Sequence, residues 1–285
     1  MSEAGSYAFV TGGASGIGRA LTIALVKEGC QVFIVDRDIH SAIDFAAELN
    51  QTAQVAWTAQ VDVTNWDEQV SAFEKAVDTF GRIDYVFPIA GLSERRSFPN
   101  RGKDLKRFEK PDLSVIDVNL TAVLYTVSLA LQQFRRQDVN KFGFKGKIGC
   151  VSSICGLYAP ATLPMYTATK HFRNSGIVGF VRGFGKYLPR EQITMNAVCP
   201  AVVRTAMTNA FSDRLEGLGL LTPMSSVVGA FQSMLGSNDV SGECFEAGPK
   251  GYRIKSPSDY SDDEMRRTML MISEKSVSLH EPLKE

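Results

Sequence analysis

Histidine is scarce in this 285-residue chain: His40, His171 and His280 are far apart, and none falls in an H-E-x-x-H pattern. No metal site is expected from them. The five cysteines (Cys30, Cys150, Cys155, Cys199 and Cys244) are odd in number, widely spaced and never C-x-x-C. That pattern fits free thiols in a reducing, cytoplasmic setting. Excess charge is lacking too, with 31 basic against 31 acidic side chains. A chain without a basic surplus has no electrostatic footprint for nucleic acid or an anionic membrane, so neither partner is expected. No run of about 18 consecutive apolar residues exists, so no membrane span is expected. The first apolar run, residues 7–10, is far too short for a secretory leader. What is present is ordinary globular composition, 44% hydrophobic and 22% charged, enough to bury a core.

Short apolar runs alternate with longer amphipathic ones. Strands are predicted at 7–11, 31–35, 54–61, 83–87, 147–152, 192–198 and 242–246. Helices are predicted at 17–28, 41–49, 66–80, 111–134 and 165–188. In 66–80 the residues Val70, Phe73, Val77 and Phe80 recur at helical spacing, and Gly81 stops the run. Continuously apolar strands between helices imply an α/β doubly wound parallel sheet of about seven strands, with helices on both faces. Residues 93–110 are dense in charge and aperiodic, and read as a surface loop. A single domain over 1–255 is expected, then a polar tail, 256–285, with a helix near 263–274.

The first predicted strand runs into Thr11-Gly12-Gly13-Ala14-Ser15-Gly16-Ile17-Gly18, and a helix follows. Glycines allow a tight turn and close approach of backbone to a pyrophosphate, and the helix N-terminus adds free N–H groups. Asp36 ends the second strand, where a carboxylate accepts from ribose hydroxyls and repels a 2′-phosphate. That favours NAD, although the adjacent Arg37 leaves NADP open. Tyr166 and Lys170 stand at i and i+4 on a predicted helix, hence on one face. A nearby ammonium lowers a phenol pKa toward the range useful for proton transfer. Taken alone, such a pair is common by chance. Ser153 follows the fifth strand, at the ligand-binding end of a doubly wound sheet. Asn119 lies inside a predicted helix, where asparagine is unfavourable by propensity.

The T-G-x-x-x-G-x-G spacing, Ser153 standing 13 residues before Y-x-x-x-K, and the Asn119 position resemble the short-chain dehydrogenase/reductase family. The resemblance spans about residues 7–252. It implies roles: Tyr166 exchanges a proton with the substrate oxygen, and Lys170 lowers the tyrosine pKa and binds the nicotinamide ribose. Ser153 steadies the developing oxyanion, and Asn119 holds a relay water. It also implies a cofactor site built from Gly12, Ser15, Gly16, Ile17, Gly18, Asp36, Asp62, Val63, Ala90, Gly91, Tyr166, Lys170, Val203 and Thr205. Residues 170–171, 176–182 and 248–253 are similar to its prostaglandin-dehydrogenase-like and secondary-metabolism branches.

The chain departs from the family pattern in three places. The family's N-N-A-G is Pro88-Ile89-Ala90-Gly91 here, so altered packing is expected. Ala201 stands for the usual glycine. Four residues, 172–175, are inserted after His171 in a helix that often forms the family's subunit interface. Slightly more than one extra turn is expected, keeping the packing face nearly aligned. A homodimer or homotetramer is expected. Apolar Leu92, Leu157, Tyr158, Met207, Phe211, Leu215, Leu218 and Leu220 are candidates for the pocket of a mid-sized, partly apolar alcohol or ketone. The expected reaction is hydride transfer between a nicotinamide cofactor and that substrate. The competing readings are a silent nucleotide-binding protein and a non-redox cyclase or eliminase on the same fold.

Overall fold

The computed structural model describes residues 2–94, 108, 110–160, 163–171 and 176–276. Most of the charged 93–110 segment and the inserted residues 172–175 lie outside the described residues. Contacts divide the chain into a unit at 1–255 and a second at 256–285.

The first unit is built on one eight-stranded sheet in the order β3-β2-β1-β4-β5-β6-β7-β8. Its strands are β1 (Tyr7–Thr11), β2 (Gln31–Asp36), β3 (Ala56–Gln60), β4 (Tyr85–Pro88), β5 (Gly146–Val151), β6 (Ile193–Pro200), β7 (Cys244–Gly248) and β8 (Gly251–Ile254). The helices are α1 (Gly16–Glu28), α2 (Ile39–Leu49), α3 (Trp66–Phe80), α4 (Ser114–Ile116), α5 (Ala122–Arg135), α6 (Pro164–His171), α7 (Ile177–Phe184), α8 (Asn209–Gly217) and α9 (Met224–Gln232). β1 to β7 are parallel, and β8 returns antiparallel to β7.

Alternation along each strand feeds two cores. Phe9 and Phe33 point to one face with Phe73, Val127 and Phe134. Val10 and Ile34, one residue on, point to the other with Leu21, Leu25 and Phe231. Every residue of β5 and β6 is buried, as a sheet covered on both faces requires. Helix ends follow local chemistry. The Asn65 side chain accepts from Asp67 and Glu68 N–H to start α3, and Gly81 at φ 77° stops it.

Three expectations need correction. The sheet has an eighth strand, and the seventh begins at Cys244 rather than at 242. The long helix predicted at 111–134 begins at Ser114 and passes through a π turn, Asp117–Thr121, between α4 and α5. This stretch, 114–135, is long and apolar enough to cross a membrane by composition. It packs as a core helix, burying Val115, Ala122, Val123, Val127, Ala130, Leu131 and Phe134. The helix predicted at 165–188 is not continuous. It divides into α6 and α7, and a 3₁₀ turn covers Leu188–Glu191. Gly176, just before α7, lies so close to α6 that a Cβ there would stand 2.1 Å from the Thr169 carbonyl oxygen.

The second unit carries α10 (Asp263–Ser276), which exposes Met265, Met269, Leu270, Met271 and Ile272.

Candidate active site

β1 hydrogen-bonds to both β2 and β4, so the chain reverses direction across the sheet at β1. Ligands of doubly wound folds bind beyond the strand ends at such a switch point. A cleft of about 500 Å³ opens there.

Its floor is the glycine turn after β1. Gly12 (φ 65°) and Gly16 (φ 51°) adopt backbone conformations that disfavour side chains. A Cβ on Gly18 would stand 2.1 Å from the Gly12 carbonyl oxygen, so α1 packs directly onto the turn. Ser15 precedes α1 without a side-chain cap bond, and the first turn of α1 holds no acidic residue. The N-terminal amides of α1 therefore present a positive, uncapped end, the surroundings a pyrophosphate needs.

Asp36 stands beside the turn. Its carboxylate accepts the Ala14 N–H at 3.1 Å and the Asp38 N–H at 3.2 Å. Arg37 lines the cleft, whereas Asp36, Asp62 and Val63 are not among its lining residues. The Asp62 carboxylate accepts from the Thr64 N–H and hydroxyl, and these bonds hold it below the usual carboxylate range. The wall after β4 is Ile89, Ala90, Gly91 and Leu92. Thr11 Oγ1 accepts from Ile89 N–H (3.1 Å) and Ala90 N–H (3.3 Å), tying this wall to β1.

Asn119 is fully buried in the π turn. Its amide donates to the Leu92 carbonyl (2.8 Å), and its oxygen accepts the Leu92 N–H (2.7 Å). The side chain thus fixes the wall after β4. Asn119 also lines the cleft.

Ser153, Tyr166 and Lys170 meet at the far side of the cleft. Ser153 lies two residues beyond β5, and its Oγ accepts the Cys155 N–H at 3.1 Å, capping a short 3₁₀ turn. Tyr166 and Lys170 lie one turn apart on α6, with Lys170 Nζ 5.9 Å from the Tyr166 ring centre. Lys170 is buried, and Nζ reaches only as near as 3.4 Å to the Val151 carbonyl. Burial pulls its pKa down to about 8. Burial pushes the Tyr166 phenol above its ordinary value, opposed by a hydrogen bond with Ser153. Desolvation is the largest influence on the Tyr166 phenol and sets the upward direction of its shift.

After β6, Pro200, Ala201, Val203, Thr205, Ala206, Met207 and Thr208 close the cleft. Thr208 Oγ1 accepts the Thr205 N–H and donates to the Val203 carbonyl, setting this turn. Arg204 forks to Asp213 and Glu216, both at 2.8 Å, and ties the turn to α8. Of the apolar residues expected to form a substrate pocket, Leu92 and Met207 line the cleft. Leu157, Tyr158, Leu215, Leu218 and Leu220 do not, and the Phe211 side chain lies outside the described residues. Ser152 lines the cleft as well, and its side chain is buried. Among the described residues no cluster of His, Cys, Asp or Glu is placed to hold a metal.

The sequence model of the family described as "short chain dehydrogenase" matches residues 6–216. The chain belongs to the short-chain dehydrogenase family. Human 15-hydroxyprostaglandin dehydrogenase [NAD(+)] is 32% identical over 219 residues, covering 75% of this chain and 74% of that protein. The short-chain dehydrogenase/reductase ATR7 of Stachybotrys chlorohalonatus is 33% identical over 223 residues, covering 77% of this chain and 63% of that protein. Among solved structures, 3-ketoacyl-(acyl-carrier-protein) reductase from Brucella melitensis, complexed with NADH, superposes with a TM-score of 0.73 at 22% identity. It covers 87% of this chain and 98% of that one. At that identity the likeness speaks for the fold. As a short-chain dehydrogenase the chain is an oxidoreductase, and its glycine turn and Ser153/Tyr166/Lys170 group occupy one cleft.

Proposed function

We propose that the protein interconverts a secondary alcohol and a ketone with NAD as cofactor, the substrate being mid-sized and partly apolar. The observation that carries this reading is the convergence of Ser153, Tyr166 and Lys170 on the cleft floored by the glycine turn. The names of the prostaglandin dehydrogenase relatives, which include NAD(+), support the cofactor.

The amides at the start of α1 would hold the pyrophosphate, and Asp36 the adenosine ribose. Lys170, a buried cation with one distant carbonyl acceptor, has donors left for ribose hydroxyls. Bound nicotinamide supplies the hydride acceptor or donor. Tyr166 then exchanges a proton with the substrate oxygen, and Ser153 donates a hydrogen bond to that oxygen as charge develops on it. Leu92 and Met207 provide apolar contact at the cleft wall.

The direction of the Tyr166 shift sets a pH dependence. A phenol pushed up by burial is protonated at neutral pH, ready to act as an acid in ketone reduction. Alcohol oxidation needs the phenolate, whose fraction rises about tenfold per pH unit below the pKa. The oxidation rate is therefore expected to rise between pH 6 and 9, and the reduction rate to hold or fall. Initial rates from reduced-nicotinamide absorbance, with a panel of secondary alcohols and their ketones, measure both limbs. Turnover of none of them defeats this reading.

NADH is expected to bind at least about tenfold more tightly than NADPH, because a 2′-phosphate meets the Asp36 carboxylate. Asp36→Ser removes that repulsion and leaves Arg37 in the cleft, so the ratio should fall toward one. Titration of nicotinamide fluorescence measures it.

A further inference from the structure

Helix α6 starts in an unusual way. Its first residue, Pro164, has no N–H to satisfy, and the preceding Leu163 has no side-chain oxygen with which to cap the helix. The Thr167 N–H bonds back to the Leu163 carbonyl at 2.8 Å. The two remaining first-turn donors, Met165 N–H and Tyr166 N–H, both go to Glu94 Oε2, each at 3.0 Å. Glu94 comes from the segment after β4, some 70 residues away in sequence, and is half-buried. A carboxylate on two first-turn amides is a charge-assisted cap at the positive end of the helix.

The same segment is gripped at its other end. Leu92, two residues earlier, lines the cleft and is bonded through both its N–H and its carbonyl to the Asn119 side chain. Residues 92–94 thus bridge the π turn to the first turn of α6. One of the two amides that Glu94 binds belongs to Tyr166 itself. Fraying of this turn would move the phenol relative to Ser153 and to Lys170 one turn on. Displacement of a reacting group by about 1 Å costs on the order of 100-fold in rate.

We propose that Glu94 is a positioning residue, capping α6 from the cleft wall and so fixing the Tyr166 phenol against Ser153 and Lys170. The proposal rests on the oxidoreductase reading above for its kinetic consequence, and on the two hydrogen bonds for its structural one.

Three proteins decide it: the wild type, Glu94→Ala and Glu94→Gln. Glutamine keeps a carbonyl oxygen that accepts both amides, and alanine keeps none. Glu94→Ala is expected to lower kcat by about 10- to 100-fold, with KM and NADH affinity within about twofold of wild type. Glu94→Gln is expected to restore kcat to within about threefold. Amide hydrogen exchange at Met165 and Tyr166 should speed up in the alanine variant and stay slow in the glutamine variant. Preserved NADH affinity shows that the alanine variant is folded, and the glutamine rescue separates capping from general destabilisation. Wild-type kcat in Glu94→Ala overturns the proposal. So does unchanged exchange at both amides, or a glutamine variant no better than alanine. If the wild type turns over no substrate, the oxidoreductase reading fails by itself, and the exchange measurements still decide whether Glu94 caps the helix.

Discussion

Tyr166→Phe lowers turnover of any alcohol or ketone substrate by about 10²- to 10⁴-fold, the range spanned by general acid–base groups. The substitution removes one oxygen and leaves the ring. Tyr166 sits in the first turn of α6 beside Lys170 and Ser153, and its backbone bond to Glu94 is untouched by the change. Packing and cofactor affinity should therefore stay near wild type, and the loss should fall on kcat. The Ser153 hydroxyl loses one neighbour and keeps its bond from the Cys155 N–H. Steady-state rates with NADH titrations on the same preparation check both halves. A Phe variant with full kcat on a confirmed substrate removes the phenol from the chemistry. That result would favour a cyclase-type or eliminase-type reaction on the same fold, or catalysis by another group in the cleft.

Gly18→Ala acts on the other half of the cleft. The added Cβ would meet the Gly12 carbonyl oxygen at 2.1 Å, the Gly12 carbonyl carbon at 2.8 Å and Gly13 Cα at 3.0 Å. All three are backbone atoms, so no side chain can swing away, and the turn or α1 must shift. Overpacking that forces a backbone shift costs about 1–3 kcal/mol. Taken from cofactor binding, that is roughly a 5- to 150-fold weaker Kd. NADH affinity, followed by calorimetry, should fall accordingly. Gly183→Ala is the matched control. It lies within α7, has negative φ, and a Cβ there meets nothing within 4 Å. It should leave NADH affinity unchanged and add about 0.5–1 kcal/mol of stability, since alanine is the better helix former. A Gly18→Ala protein that binds NADH like wild type would mean that the turn is not the pyrophosphate cradle.

Much of the fold was legible because burial on both faces writes itself into sequence as continuous apolar runs. β1 and β2 contain such runs, and all seven predicted strands fall on observed ones with ends shifted by at most two residues. β8 left no such signal. Tyr252, Arg253 and Ile254 form an exposed edge strand that pairs only with β7, and four residues are too few to show alternation. The division between α6 and α7 was hidden because the apolar and small residues after Gly176 keep helical spacing. The break shows only in the packing of Gly176 against Thr169.

In the cleft, the glycine turn, Ser153, Tyr166 and Lys170 were readable from spacing because each sits at a fixed offset from a strand end or on one helix. Asp62 and Val63 were placed at the cofactor site by resemblance, and the bonds of the Asp62 carboxylate to Thr64 were not foreseen. The bonding of Asn119 to Leu92 was not legible, since that partner is brought to it by tertiary structure. Glu94 was not legible at all. It stands in a run of charges, and its partners lie 71 and 72 residues away. No local pattern marks a cap supplied from that distance.

The central claim is that this cleft moves a hydride between a substrate carbon and a nicotinamide ring. Deuterium transfer tests it most directly. The protein is incubated with NAD and secondary alcohols deuterated at the carbinol carbon, and the reduced cofactor is analysed by mass spectrometry. Deuterated NADH, formed with one equivalent of ketone and lost in Tyr166→Phe, is the predicted result. Substrate consumed without deuterium in the cofactor would contradict the account.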